Sequence, residues 1–279
     1  MTEIRLCDYL SEVIAIAHEA GRKILAIYQT DFDVEHKDDR TPLTEADLAA
    51  HRTIIDGLKT LTPEIPALSE ESAERPFDER SQWERYWLID PLDGTREFVK
   101  RNGEFSVNIA MIVDHKPVLG VVYAPVLDTT WYACEGSGAH KRVDREPAVE
   151  IRVRPVPEDR LVIAGSRSHG SPRLQAFLAV VGDHEFIPMG SSLKSCLVAE
   201  GTADVYPRLG PTSEWDTAAA QCVVEEAGGK ITDLHFEPLR YNTKPSLLNP
   251  EFIVVGDTSY DWPKSLAAIP PKQAPGDRR

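Results

Sequence analysis

The sequence predicts an α+β protein, and three observations carry that prediction. Helical periodicity dominates the first sixty residues, and β-branched and aromatic segments crowd residues 86–133. Helices and short strands then follow one another irregularly as far as residue 255. Strand runs in the middle with helices on either side favour layers over a regular βαβ alternation. No internal repeat is present.

Residues 6–29 read as an amphipathic helix, because Leu6, Leu10, Val13, Ile14, Ala17, Ile24, Leu25 and Tyr28 recur at three- and four-residue steps. The charged stretch Asp31 to Asp39 reads as an exposed loop or twisted hairpin. Thr44 then has the character of an N-cap for a helix over Glu45–Leu61, with Asp47 at the third helical position. Ile65–Ser69 is a short apolar segment running into Glu70 and Glu71. Tyr86–Asp90, Phe105–Val113, Val118–Tyr123 and Thr129–Ala133 read as strands.

Charged residues 140–150 mark the expected boundary between an N-terminal αβ lobe, 1–145, and a C-terminal αβ lobe, 146–265. In the second lobe, strands are expected at Leu161–Ala164, Glu185–Pro188, Ala203–Tyr206, Lys230–Thr232 and Phe252–Val255. Helices are expected at Pro172–Val181, Ser192–Ala199 and Trp215–Ala227. The tail, 266–279, lacks apolar periodicity and is expected to be disordered.

With 279 residues, 42% of them hydrophobic and 27% charged, the chain has the composition of a soluble globular enzyme. Its net charge of −14 disfavours nucleic acid and anionic lipid as partners unless cations gather locally. No run approaches the roughly 18 apolar residues of a membrane span, and the N-terminus lacks the apolar core of a signal peptide. The expected location is the cytoplasm. Cys7, Cys134, Cys196 and Cys222 are scattered, with no C-x-x-C pair, and suggest neither a zinc knuckle nor a disulfide framework. Cys196 and Cys222 read as small buried thiols.

Chemistry concentrates in Asp90-Pro91-Leu92-Asp93-Gly94-Thr95. A strand delivers Asp90 to its end, and Pro91 and Gly94 turn the chain there. Two carboxylates on such a turn can converge on a hard cation, which takes oxygen ligands at about 2.0–2.1 Å. The amides of Gly94 and Thr95, at a helix start, suit a phosphate oxygen. The same residues also read as an ordinary Asp-rich turn. Glu70-Glu71 reads as a ligand source or a solvated pair, and Asp216 as a ligand or a first-turn acid favoured by the helix dipole. Asp47 reads as a site residue or part of the Thr44-x-x-Asp47 cap. Four carboxylate sites thus stand at the mouths of strands and helices, and residue patterns alone do not bring them together.

DPLDGT, preceded by S-E-E, followed by the W-D-T-A helix and led by T-E-A-D, resembles the inositol monophosphatase superfamily of metal-dependent phosphatases. The resemblance runs from about Ala15 to Val255. The segments GSRSH (165–169), GSSLK (190–194) and YPR (206–208) before WDT are similar to the 3′(2′),5′-bisphosphate nucleotidases of the bacterial CysQ type. The resemblance implies a layered αβαβα sugar-phosphatase-like fold with two αβ lobes. It implies Mg²⁺, two to three ions. Glu70, Asp90 and the Leu92 carbonyl would hold one ion, and Asp90, Asp93 and Asp216 a second, with a weaker third site near Glu70. Thr95, hydrogen-bonded to Asp47, would orient and deprotonate the attacking water. Substrate contacts would come from Glu70, Leu92, Asp93, Gly94, Thr95, Ser166, His169, Ser191, Lys194, Arg208 and Asp216. Read on their own, Lys194 is rather a solvated helix residue and Arg208 a structural ion-pair partner.

The implied activity is release of phosphate from the 3′ position of adenosine 3′,5′-bisphosphate, giving AMP, and also from 3′-phosphoadenosine 5′-phosphosulfate, an intermediate of sulfate assimilation. Lithium inhibition is implied with it. A broader inositol or sugar phosphate phosphatase shares the metal cage and is the alternative within the class. A regulatory binding protein is the alternative outside it, which the absence of a basic stripe and the complete cage disfavour. Bacterial relatives that associate loosely with the inner membrane extend the expected location to its cytoplasmic face. The sequence specifies no oligomeric state.

Overall fold

The computed structural model describes residues 6–30, 34–36, 42–72, 75–166, 172–267 and 269–272. A 3₁₀ turn, Leu6–Tyr9, leads into α1 (Leu10–Tyr28). A small antiparallel hairpin of β1 (Val34–His36) and β2 (Pro42–Thr44) then feeds α2 (Glu45–Leu61). The larger sheet has seven strands, in the order of the chain. They are β3 (Ala67–Ser69), β4 (Arg85–Asp93), β5 (Ser106–Val113), β6 (Lys116–Ala124), β7 (Thr129–Cys134), β8 (Ala139–Val143) and β9 (Val149–Ile151). Only β3 and β4 pair in parallel. Short helices α3 (Phe77–Arg80) and α4 (Thr95–Val99) flank β4.

The smaller sheet has five strands: β10 (Leu161–Gly165), β11 (His184–Pro188), β12 (Val205–Arg208), β13 (Lys230–Asp233) and β14 (Phe252–Val255), in the spatial order 11-10-12-14-13. With it come α5 (Pro172–Val181), α6 (Leu193–Ala199), α7 (Ala218–Glu226) and α8 (Trp262–Leu266).

Side-chain alternation explains the layers. On β4, Trp87 and Ile89 face α1 and α2, while Tyr86 and Leu88 face the other way. On β5, Val107, Ile109 and Met111 join the first group, and Ala110 and Ile112 the second. The second face is covered by α6 and α7, which also cover Tyr206 of β12 and Phe252 and Val254 of β14. Ile253 and Val255 point out to α5 and α8. The order is therefore helix, sheet, helix, sheet, helix, the αβαβα layering expected. Gly120 of β6 permits the tightest contact: a Cβ there would lie 2.3 Å from the carbonyl oxygen of Ala219 in α7.

Three readings change. The 140–150 segment, expected only as a boundary, also supplies β8 and β9. Its charged residues lie on the last two strands of the sheet, β8 and the edge strand β9, where most side chains are half-buried or exposed. The helix expected over Trp215–Ala227 is divided into a 3₁₀ turn, Glu214–Asp216, and α7, with Thr217 at φ −120° between them. Cys7 and Cys134, whose spacing suggested no disulfide framework, form a disulfide across 127 positions with Cα atoms 5.6 Å apart. Their separation along the chain hid an approach that only the docking of the N-terminal turn on β7 creates. Cys196 and Cys222 are buried free thiols. Leu266 and Ile269 pack with the outer cluster of the smaller sheet, and residues 273–279 lie outside those described.

Candidate active site

Asp90 shares the parity of Tyr86 and Leu88, so its side chain enters the layer between the sheets, where α7 begins. Asp93 lies three positions on and would point the opposite way in a regular strand. The ladder slips here: Asp90 stands opposite Asn108 and Asp93 opposite Ser106, so β4 carries one extra residue. That bulge returns Asp93 to the face of Asp90. Pro91, which has no N–H to offer a ladder, sits inside it. Gly94 follows at φ 95°, a left-handed position that starts α4.

Asp216 arrives from the other lobe. It closes the 3₁₀ turn in a capping box with Ser213, whose N–H donates to Asp216 Oδ2 at 2.8 Å. Asp90, Asp93 and Asp216 each offer an oxygen, and these oxygens lie within 4.8 Å of one another. Asp90 is 1% exposed. Burial first, then the charges of Glu70, Asp93, Asp216 and Asp47, push its carboxyl well above the ordinary range. Burial and Asp93 lift Asp216 to about 7. Glu70 and Asp47 thus act on Asp90 through their charge. Glu70 follows β3, its N–H donating to the Ile89 carbonyl at 3.2 Å, and it faces a second cavity with Trp215 and Arg80. Asp47 is buried in the first turn of α2.

Asp93 is held from one side. Its Oδ2 accepts from Ser191 Oγ at 2.7 Å, Ser192 N–H at 2.6 Å and Ser192 Oγ at 2.6 Å, with Asn108 Nδ2 at 3.5 Å. Ser191 holds a left-handed backbone, φ 54°, to make this contact. Residue patterns did not point to Ser192, Asn108 or Ser213. Asn108 left a trace, as the one amide in the apolar strand SVNIAMIV.

Thr95 donates to the Leu92 carbonyl at 3.5 Å.

A cavity of about 360 Å³ opens beside this centre. It brings Asp93, Gly94 and Asp216 together with Ser166, Ser191, Lys194 and Arg208. Lys194 is 5% exposed and is no solvated helix residue. Its ammonium donates to the carbonyls of Met189 and Ser191 and lies 5.3 Å from the Tyr206 ring centre. Burial lowers its pKa to about 8. Arg208 donates to Ser166 Oγ at 3.4 Å and the Pro211 carbonyl at 3.0 Å, and among the described residues it has no carboxylate partner. His169 lies outside the described residues.

A family model for the inositol monophosphatases matches residues 8–262. The chain belongs to the inositol monophosphatase family. This family is metal-dependent, and the all-oxygen donor set of three converging carboxylates fits a hard cation. The 3′(2′),5′-bisphosphate nucleotidase CysQ of Escherichia coli K12 is 47% identical over 247 residues, covering 88% of this chain and 98% of the relative. The CysQ of Haemophilus influenzae is 44% identical over 256 residues, 91% of this chain and 94% of its own. The crystal structure of CysQ from Bacteroides thetaiotaomicron, a bacterial member of the family, superposes with a TM-score of 0.78 at 39% identity, covering 91% of this chain and 99% of that one.

Proposed function

We propose that this member of the inositol monophosphatase family is a Mg²⁺-dependent 3′(2′),5′-bisphosphate nucleotidase that converts adenosine 3′,5′-bisphosphate to AMP and phosphate. One observation carries the reading: Asp93 and Asp216 of the carboxylate cluster line the same cavity of about 360 Å³ as the cations Lys194 and Arg208. The family relationship supports it, since relatives named for this activity align over most of both chains.

In this reading Glu70, Asp90 and the Leu92 carbonyl would hold one Mg²⁺, and Asp90, Asp93 and Asp216 a second, with a third near Glu70. The ions would supply Lewis acidity and a lowered water pKa. The chain's own residues do the positioning. Asp90 and Asp216, raised by burial and by neighbouring carboxylates, would be favoured as carboxylates with cations beside them. Ser191 and Ser192 fix Asp93 by Oδ2 and leave Oδ1 for ligation. Thr95 Oγ1 holds the attacking water and passes its proton toward Asp47. The water oxygen bonds to phosphorus as the bond from phosphorus to the 3′ oxygen breaks, and that oxygen takes up a proton from solvent to leave as the 3′-hydroxyl of AMP. Gly94 and Thr95 amides face the scissile phosphate. Ser166, Ser191, Lys194 and Arg208, with His169, take the nucleotide and its other phosphate. The same site accepts 3′-phosphoadenosine 5′-phosphosulfate. No helix among the described residues is long and apolar enough to cross a membrane, and we place the enzyme in the cytoplasm, in peripheral contact at most with the inner membrane.

The test is phosphate release from adenosine 3′,5′-bisphosphate, inositol 1-phosphate and fructose 1,6-bisphosphate with Mg²⁺ and with chelator. Preference for the nucleotide, abolished by chelation and strongly reduced by millimolar Li⁺, supports the reading. Equal or better turnover of the other esters refutes the nucleotide assignment.

A further inference from the structure

Three cations stand on and just after α4, and only one is tied down. Arg101 donates to the carbonyls of Tyr28 and Thr30. Arg96 and Lys100 make no hydrogen bond or ion pair among the described residues, and both are exposed. The Lys100 N–H donates to the Arg96 carbonyl at 3.0 Å, so the two sit one helical turn apart on one face. Like charges at that spacing repel. Both nevertheless line the cavity that holds Asp93 and Asp216.

The charge inventory of that cavity is uneven. Its cations are Arg96, Lys100, Lys194 and Arg208, and its anions are Asp93, Glu97 and Asp216. Once Asp93 and Asp216 are committed to the metal centre, Glu97 alone opposes four cations. Lys194 already spends donors on two carbonyls, and Arg208 Nε is buried without a hydrogen-bond partner. A phosphate monoester brings one anionic group, which the metal centre takes. A second anionic group is what the remaining cations lack.

We infer that Arg96 and Lys100 are specificity-determining residues that, from the opposite lobe to Lys194 and Arg208, bind the second phosphate of a bisphosphorylated substrate. This rests on the nucleotidase reading above and adds to it residues that reading leaves unused. The second phosphate then bridges the lobes, because α4 belongs to the larger sheet and Arg208 to the smaller.

The experiment measures kcat/KM for adenosine 3′,5′-bisphosphate and adenosine 3′-monophosphate in the wild type and in Arg96→Gln, Lys100→Gln, the double variant and Arg96→Lys. The ratio of the two values should fall about tenfold in each single variant and further in the double, through KM. Arg96→Lys should recover most of the ratio, since its charge is kept. A ratio unchanged in the double variant, or an equal loss on both substrates, overturns the inference while leaving the nucleotidase reading intact. A wild type without preference for the bisphosphate overturns that reading and the inference with it.

Discussion

The two ends of the cavity are assembled in opposite ways. The acidic end is concentrated: two of its carboxylates lie in one bulged turn of β4, and Asp216 meets them within 4.8 Å. The cationic end is dispersed over α4, α6 and the end of β12. One turn can hold a cation whatever the ester, whereas only a particular arrangement of both lobes presents four positive side chains to one ligand. Catalysis and selectivity should therefore fail separately when each end is altered.

The largest effect is expected at the acidic end. Asp90→Asn removes the carboxylate central to the cage and should lower kcat by roughly a thousandfold on every substrate, with the circular dichroism spectrum unchanged. At the other end, Lys194→Met should lower kcat/KM for adenosine 3′,5′-bisphosphate by about a hundredfold, mostly through KM. The sign of its pH dependence sharpens the contrast. A lysine lowered to about 8 is charged below that pH and neutral above it, so kcat/KM for the bisphosphate should fall as pH rises through about 8. In Lys194→Met that limb should vanish.

A smaller effect is expected where the ends touch. Ser192→Ala removes a donor to Asp93 and should weaken Mg²⁺ activation about tenfold, read as the Mg²⁺ concentration at half-maximal rate. Smallest is a stability effect. Asp216, lifted from its ordinary 3.8 to about 7, keeps a proton in the folded protein that the unfolded chain has lost. Stability of the chelated protein should thus decline by a few degrees of Tm as pH rises from about 4 to about 7. Asp90 pushes in the same direction. Saturating Mg²⁺ should abolish the decline, and a chelated protein whose Tm rises over that window would contradict the charge balance described.

The same contrast governs what could be read from residues alone. The DPLDGT turn was legible as a candidate because its chemistry is local, with carboxylates, proline, glycine and threonine on one turn, whereas the approach of Asp216 was implied only by the family resemblance. The strands β4 to β7 were legible because both faces are buried and the residues are apolar and branched. The slip between Asp90 and Asp93 was not, since a bulge is a property of two strands and only one carries the aspartates. Ser192, adjacent to the expected Ser191, went unnoticed because its partner lies 99 positions away. Cys7 and Cys134 failed for the same reason. The charged β8 and β9 escaped because these last two strands of the sheet are largely half-buried or exposed and carry little apolar character.

Gly120 gives the acidic end a hidden gauge. Where a methyl would sit there is instead the backbone of α7, with Ala219 only a turn beyond Asp216. The gap between the lobes at the cage is thereby set by two main chains in contact, with no side chain able to swing aside. A larger residue at 120 would work as a shim beneath the helix, lifting Asp216 away from the pair on β4. An apolar change deep in a strand, far from any charge, would then register as a loss of grip on metal.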